Sequence, residues 1–232
     1  MFRKLLAALG VGIVTTSAAI AAPPYSPYAN RATDAIYNLL FCDDISAFQP
    51  KPGETPTPWQ AALFSEPADV AALEALAADA GQEGRVRALA YQRLRRTGQK
   101  VPGKVLLGVI VEVPLAQGLD TLAAFSEGGV RYINKTGKMG VFENVASLKP
   151  LVQDLFKASQ AVVDRIGPAD QPRLPPPKSD DIRITFLVSD GLYFGEGSFA
   201  RMQHDALAGP VIDTATELLL KVVDIGTKSK RP

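Results

Sequence analysis

Val105-Leu106-Leu107-Gly108-Val109-Ile110-Val111-Glu112-Val113-Pro114 decides the fold. The run is apolar, rich in β-branched residues and closed by proline, so 105–113 reads as a buried strand. Thr121 to Ser126 is a second strand, Glu127-Gly128-Gly129 supplies turn chemistry, and Val130 to Asn134 is a third. Lys135-Thr136-Gly137-Lys138 is another turn, before a short strand over Met139 to Glu143. Short strands joined by tight turns make an antiparallel meander.

The pattern then changes period. Leu151, Leu155, Val162 and Ile166 line one side of a helix predicted from Leu148 to Ile166. Pro150 suits its first turn, and Gly167-Pro168 ends it. Residues 168–179, with Pro172 and Pro175-Pro176-Pro177, are expected to form an exposed loop. Ile182 to Val188 is a strong strand, Asp190-Gly191 is hairpin chemistry, and Leu192 to Phe199 returns. Val211, Ala215, Leu218 and Val222 stripe a last helix over 210–223, and 227–232 is a basic tail. Residues 101–226 therefore predict an α+β domain: an antiparallel sheet, meander plus hairpin, packed with two long helices. Those helices can share one face of the sheet or take opposite faces.

Residues 22–100 read as a helical and proline-rich N-terminal region. Asn30 or Thr33 can cap a helix over 34–42, with Ile36, Leu39 and Leu40 on one face. Pro50, Pro52, Gly53, Pro56 and Pro58 forbid regular structure and read as a connector around the body. Asp69 can cap a helix carrying Val70, Leu73, Leu76 and Ala77. A second helix follows from about Arg85 to Thr97, stopped by Gly98.

The extreme N-terminus gives an address. Arg3 and Lys4 precede the 18 uncharged residues from Leu5 to Ala22, which contain a small-x-small site at Ala19-Ile20-Ala21. Residues 1–21 read as a secretory signal peptide, placing the protein in the periplasm or outside the cell. An uncleaved anchor is the rival reading, weakened by the barely apolar Thr15-Thr16-Ser17. Cleavage removes two of the 25 basic residues and leaves 23 against 24 acidic ones, so the net charge is near −1. That balance argues against a nucleic-acid binder. The single cysteine, Cys42, excludes an internal disulfide framework. Its apolar neighbours favour a small buried hydrophobe.

Leu107-Gly108-Val109-Ile110-Val111-Glu112-Val113-Pro114-Leu115, with Gly118-Leu119-Asp120 and Arg131-Tyr132-Ile133-Asn134, resembles an uncharacterised family of exported bacterial proteins. The resemblance spans about Arg85 to Phe199; it implies the same domain and brings no activity. Element order alone also resembles profilin-like and roadblock-like sheets, which implies fold and not function.

No strong catalytic, cofactor or metal pattern stands in the chain. His204 is the only histidine, so a zinc site would need cysteine or carboxylate partners. A hydrolase could use only His204, with Asp205 or with Ser198, and Ser198 lies outside a G-x-S-x-G elbow. Asn134-Lys135-Thr136-Gly137-Lys138 lacks the phosphate-loop spacing. The basic stretch Arg85, Arg87, Arg93, Arg95, Arg96, Lys100 and Lys104 spreads around its helix, as a solvated surface would. The sharper reading of that stretch is weak contact with anionic lipid heads or acidic partners. The most unusual segment is Gly191 to Phe199, which holds three glycines and three aromatics. Glycines in a strand admit close approach by a ligand, and aromatics supply contact area. Tyr193, Phe194, Gly195, Gly197 and Phe199 are therefore the candidate binding residues, together with the meander turns at 127–138. The expected partner is a protein or small molecule, and the leading expectation is a non-enzymatic binding module.

Overall fold

The computed structural model describes residues 25–228 apart from Gln117, so the signal-peptide reading of 1–21 lies outside the described residues. Strands β1 (Leu106–Leu115), β2 (Gly118–Phe125), β3 (Val130–Ile133), β4 (Met139–Phe142), β5 (Asp181–Val188) and β6 (Gly191–Ser198) form one sheet. Their order is β4-β3-β2-β1-β5-β6, and every neighbouring pair is antiparallel. The meander, the hairpin and the α+β class are as the sequence predicts. β1 is buried from Leu106 to Glu112 because both of its faces are covered. It runs past the expected stop. Pairing with β5 ends at Glu112, so Pro114 sits where β1 keeps only its β2 neighbour.

Both long helices cover the same face. Val152, Leu155 and Val163 of α5 (Lys149–Val163) pack with Val211, Ala215, Leu218 and Val222 of α7 (Ala208–Lys228) over Val109, Val111, Leu122, Ile184 and Phe186. Helix α7 starts earlier and ends later than its apolar stripe predicts. The Asp205 carboxylate accepts hydrogen bonds from the Leu207 and Ala208 N–H groups, which satisfies the helix start. Thr227 and Lys228 of the expected tail are its last residues.

The other face is covered by residues 25–100. Here lie α1 (Arg31–Leu39), α2 (Pro58–Leu63), α3 (Val70–Ala78) and α4 (Gly84–Arg96). Asn30 caps α1, and Asp69 caps α3 as expected. Tyr37, Phe41, Leu73, Leu89 and Leu94 pack on Leu107, Ile110, Ala123, Phe125 and Leu187 of the sheet. Each fully buried leucine, isoleucine or phenylalanine among them contributes roughly 1.5–3 kcal/mol. The N-terminal region thus completes the core on this face of the sheet. Its arginines are not simply solvated. Arg85 stacks on Phe125 at 5.4 Å, Arg87 donates to the Ala77 carbonyl, and Arg95 donates to the Ser189 carbonyl.

A polar row runs beneath this cover. Register aligns Thr121, Glu112, Arg183 and Glu196 across four strands. Tyr28 and Thr121 share a hydroxyl–hydroxyl bond of 2.8 Å, and Tyr37 donates to Glu112 at 2.6 Å. Arg183 pairs with Glu196 and stands 3.8 Å from Glu112. Burial pushes the Glu112 carboxyl up from its ordinary value; the Tyr37 hydrogen bond and the Arg183 charge oppose that only in part.

The 168–179 segment corrects an expectation, because it is not an exposed loop throughout. Arg173 and Pro177 are buried. Arg173 Nε donates to Asp43 at 2.6 Å, and Nη2 donates to Asn38 at 2.7 Å. Its guanidinium lies 4.0 Å from the Phe41 ring centre and 4.6 Å from that of Tyr25. Stacking and hydrogen bonds together account for an arginine so far from water.

Candidate binding groove

The β5–β6 hairpin and α6 (Phe199–Gln203) enclose a groove of about 760 Å³. Its floor is Ile184 and Phe186 of β5 with Gly195 and Gly197 of β6. Val162 and Ile166 close one side, and Met202 and Leu207 close the other. Arg201, His204 and Asp205 are exposed at its edge. A site of this size, apolar inside with a few polar groups at the mouth, is the ordinary form of a small-ligand pocket.

The two glycines make the space. Residues two apart in a strand share a face, so Gly195 and Gly197 hollow the same side. Neither has a positive φ. A Cβ at Gly195 would meet Met202 Cε at 3.9 Å, and one at Gly197 would meet Met202 Cγ at 3.5 Å. These are ordinary contacts, so neither backbone conformation nor crowding requires glycine. Gly84 is different: a Cβ there would stand 2.1 Å from the Leu107 carbonyl oxygen. Glycine inside a strand costs roughly 0.5–1 kcal/mol relative to alanine. What 195 and 197 gain in return is open space above β5.

The structure divides the other predicted residues. Tyr193 is fully buried, and its hydroxyl donates to Asp190 at 3.0 Å, which removes it from any ligand surface. Burial, reinforced by that carboxylate, pushes its phenol up to about 12. Phe194 borders the groove along the strand, but it alternates with Tyr193 and Gly195, and its ring lies on the opposite sheet face, 6.0 Å from the Arg183 guanidinium. Phe199 lies apart, beside Val111, Ile182 and Ile212. The meander turns do not join the groove. The turn at 127–129 presents Glu127 to the Gly84 N–H at 2.7 Å, and so caps α4. In the turn at 135–138, the Asn134 side chain accepts from the Thr136 and Lys138 N–H groups. The two turns lie at opposite ends of β3.

His204 stands at the groove mouth, but its ring makes no hydrogen bond among the described residues. Asp205 is already engaged by two helix N–H groups, which hold its carboxyl below the usual range. The geometry of a nucleophile, base and orienting acid is not assembled here.

A second cleft, of about 530 Å³, is lined by Phe41, Cys42, Asp43, Arg95, Arg173 and Leu192 among others. Its charged groups already have partners: Arg95 on the Ser189 carbonyl, Arg173 on Asp43 and Asn38. Cys42 is buried, as its neighbours predict, and burial pushes its thiol far up, away from a nucleophilic thiolate. Among the described residues no three His, Cys, Asp or Glu side chains gather to hold a metal ion.

Comparison with protein-family models, with curated proteins and with solved structures finds no match to this chain. Its site is therefore read from its own residues. Sequence patterns point to Gly195 and Gly197 but miss Met202 and Arg201, because α6 has only five residues and no resolvable period. The available signal is the glycine pair at i and i+2, which empties one face of a strand.

Proposed function

We propose that this protein is an exported, non-enzymatic binding module whose groove between β6, α5 and α6 takes an apolar ligand. The observation that carries the reading is the glycine pair of β6, which opens an apolar trough where no backbone constraint demands glycine. The engaged carboxylate of Asp205 and the unpartnered ring of His204 favour binding over hydrolysis. Export rests on the sequence of residues 1–21.

Titration of the full chain with the neutral dye Nile red tests the groove. Saturable binding is expected for the native sequence. Gly197→Leu places an isobutyl group in the trough and should weaken binding at least tenfold, with far-UV circular dichroism unchanged. Gly195→Val serves as a second filling variant if Gly197→Leu proves unstable. No saturable binding by the native chain, or equal binding by folded filled variants, overturns the proposal.

A further inference from the structure

We infer that the ligand is a single-chain amphiphile with an anionic head, its tail over Gly195 and Gly197 and its head beside Arg201 and His204. This rests on the groove being a binding site, and it comes from the charges at the mouth. Arg201, His204 and Asp205 stand there, whereas Glu196, although it borders the groove along β6, is in register with Arg183 and turns its side chain to the opposite face of the sheet. Both acids are engaged within the chain. Glu196 is paired with Arg183, through Nε at 2.6 Å and through Nη2. Asp205 accepts from the Leu207 N–H at 2.8 Å and the Ala208 N–H at 2.9 Å.

The donors at the mouth are uncommitted. Arg201 is exposed in the last turn of α6, and its side chain has no ion pair and no hydrogen bond among the described residues. The His204 ring also has none. Arg201 is thus the one charged side chain at the mouth without a partner among the described residues. A guanidinium can grip a carboxylate or phosphate through two parallel N–H bonds, and the adjacent imidazole adds a further donor. Inside, Val162, Ile166, Ile184, Phe186 and Met202 offer only hydrocarbon and thioether surface, which suits an acyl chain. An ammonium head would meet a cation and find no unengaged acid.

Competition against bound Nile red tests this with dodecanoate, dodecanol and dodecylammonium, all kept below their micelle concentrations. Dodecanoate should displace the dye at least tenfold more effectively than dodecanol, and dodecylammonium least of all. Arg201→Glu should abolish the preference for dodecanoate and leave dodecanol unchanged, with unaltered circular dichroism. Equal displacement by all three compounds, or a dodecanoate preference that survives Arg201→Glu, overturns the head-group assignment and leaves the groove intact. Failure of the native chain to bind the dye at all overturns both.

Discussion

Glu112 is an acid fixed in the middle of a sheet with no exposed surface. Its folded pKa lies above its unfolded one, so the native state holds the proton more tightly. The stability from that proton is complete below the unfolded value, about 4.3, and is lost as pH rises through the folded value. Glu112→Gln keeps a polar partner for Tyr37 without a titrating group. In urea unfolding, the native chain should lose stability relative to Glu112→Gln between pH 4 and pH 8; parallel curves would contradict the sign. Arg173 is the complementary case. Arg173→Ala leaves Asp43 and Asn38 without their buried partner, and should cost about 3 kcal/mol in the same assay. Neither role is legible from local pattern. Glu112 does stand out as one acid in an apolar strand, and Arg183 likewise interrupts Ile182 and Ile184. Arg173, however, reads as loop because its partner Asn38 lies 135 residues away.

At the scale of elements, the sequence was most informative where one period governs a whole segment. β1, β5, α4 and α5 follow from β-branched runs or stripes of spacing three and four, because burial of a continuous face imposes them. Boundaries moved where a contact from elsewhere decides them. Ser189-Asp190 makes the hairpin turn, since Val188 pairs with Gly191. The Asp205 carboxylate starts α7 two residues before Pro210. Helix α6 left no pattern at all, and with it went half the groove. Closeness of packing is equally invisible in a sequence. Gly84 lets α4 rest on β1, and Gly84→Ala must drive the helix off the Leu107 carbonyl. A loss of about 2 kcal/mol or more is expected in thermal or urea unfolding. A neutral result would mean that α4 can shift without cost.

At the scale of the molecule, one sheet serves two covers, and each is needed. A fragment of residues 101–228 would expose Leu107, Ile110, Phe125 and Leu187 together. It should fail to give cooperative unfolding, and it should bind hydrophobic dyes without saturation. A fragment that melts cooperatively would show that the α+β part folds without its N-terminal cover. The order of the parts along the chain matters as well. Translation delivers the lid of the second face before a single strand exists, and the clasp at Arg173 arrives only after α5. β5 and β6, which flank that clasp, come later still. The contacts that clasp the N-terminal cover to the rest of the chain therefore form only once the closing quarter has been synthesised.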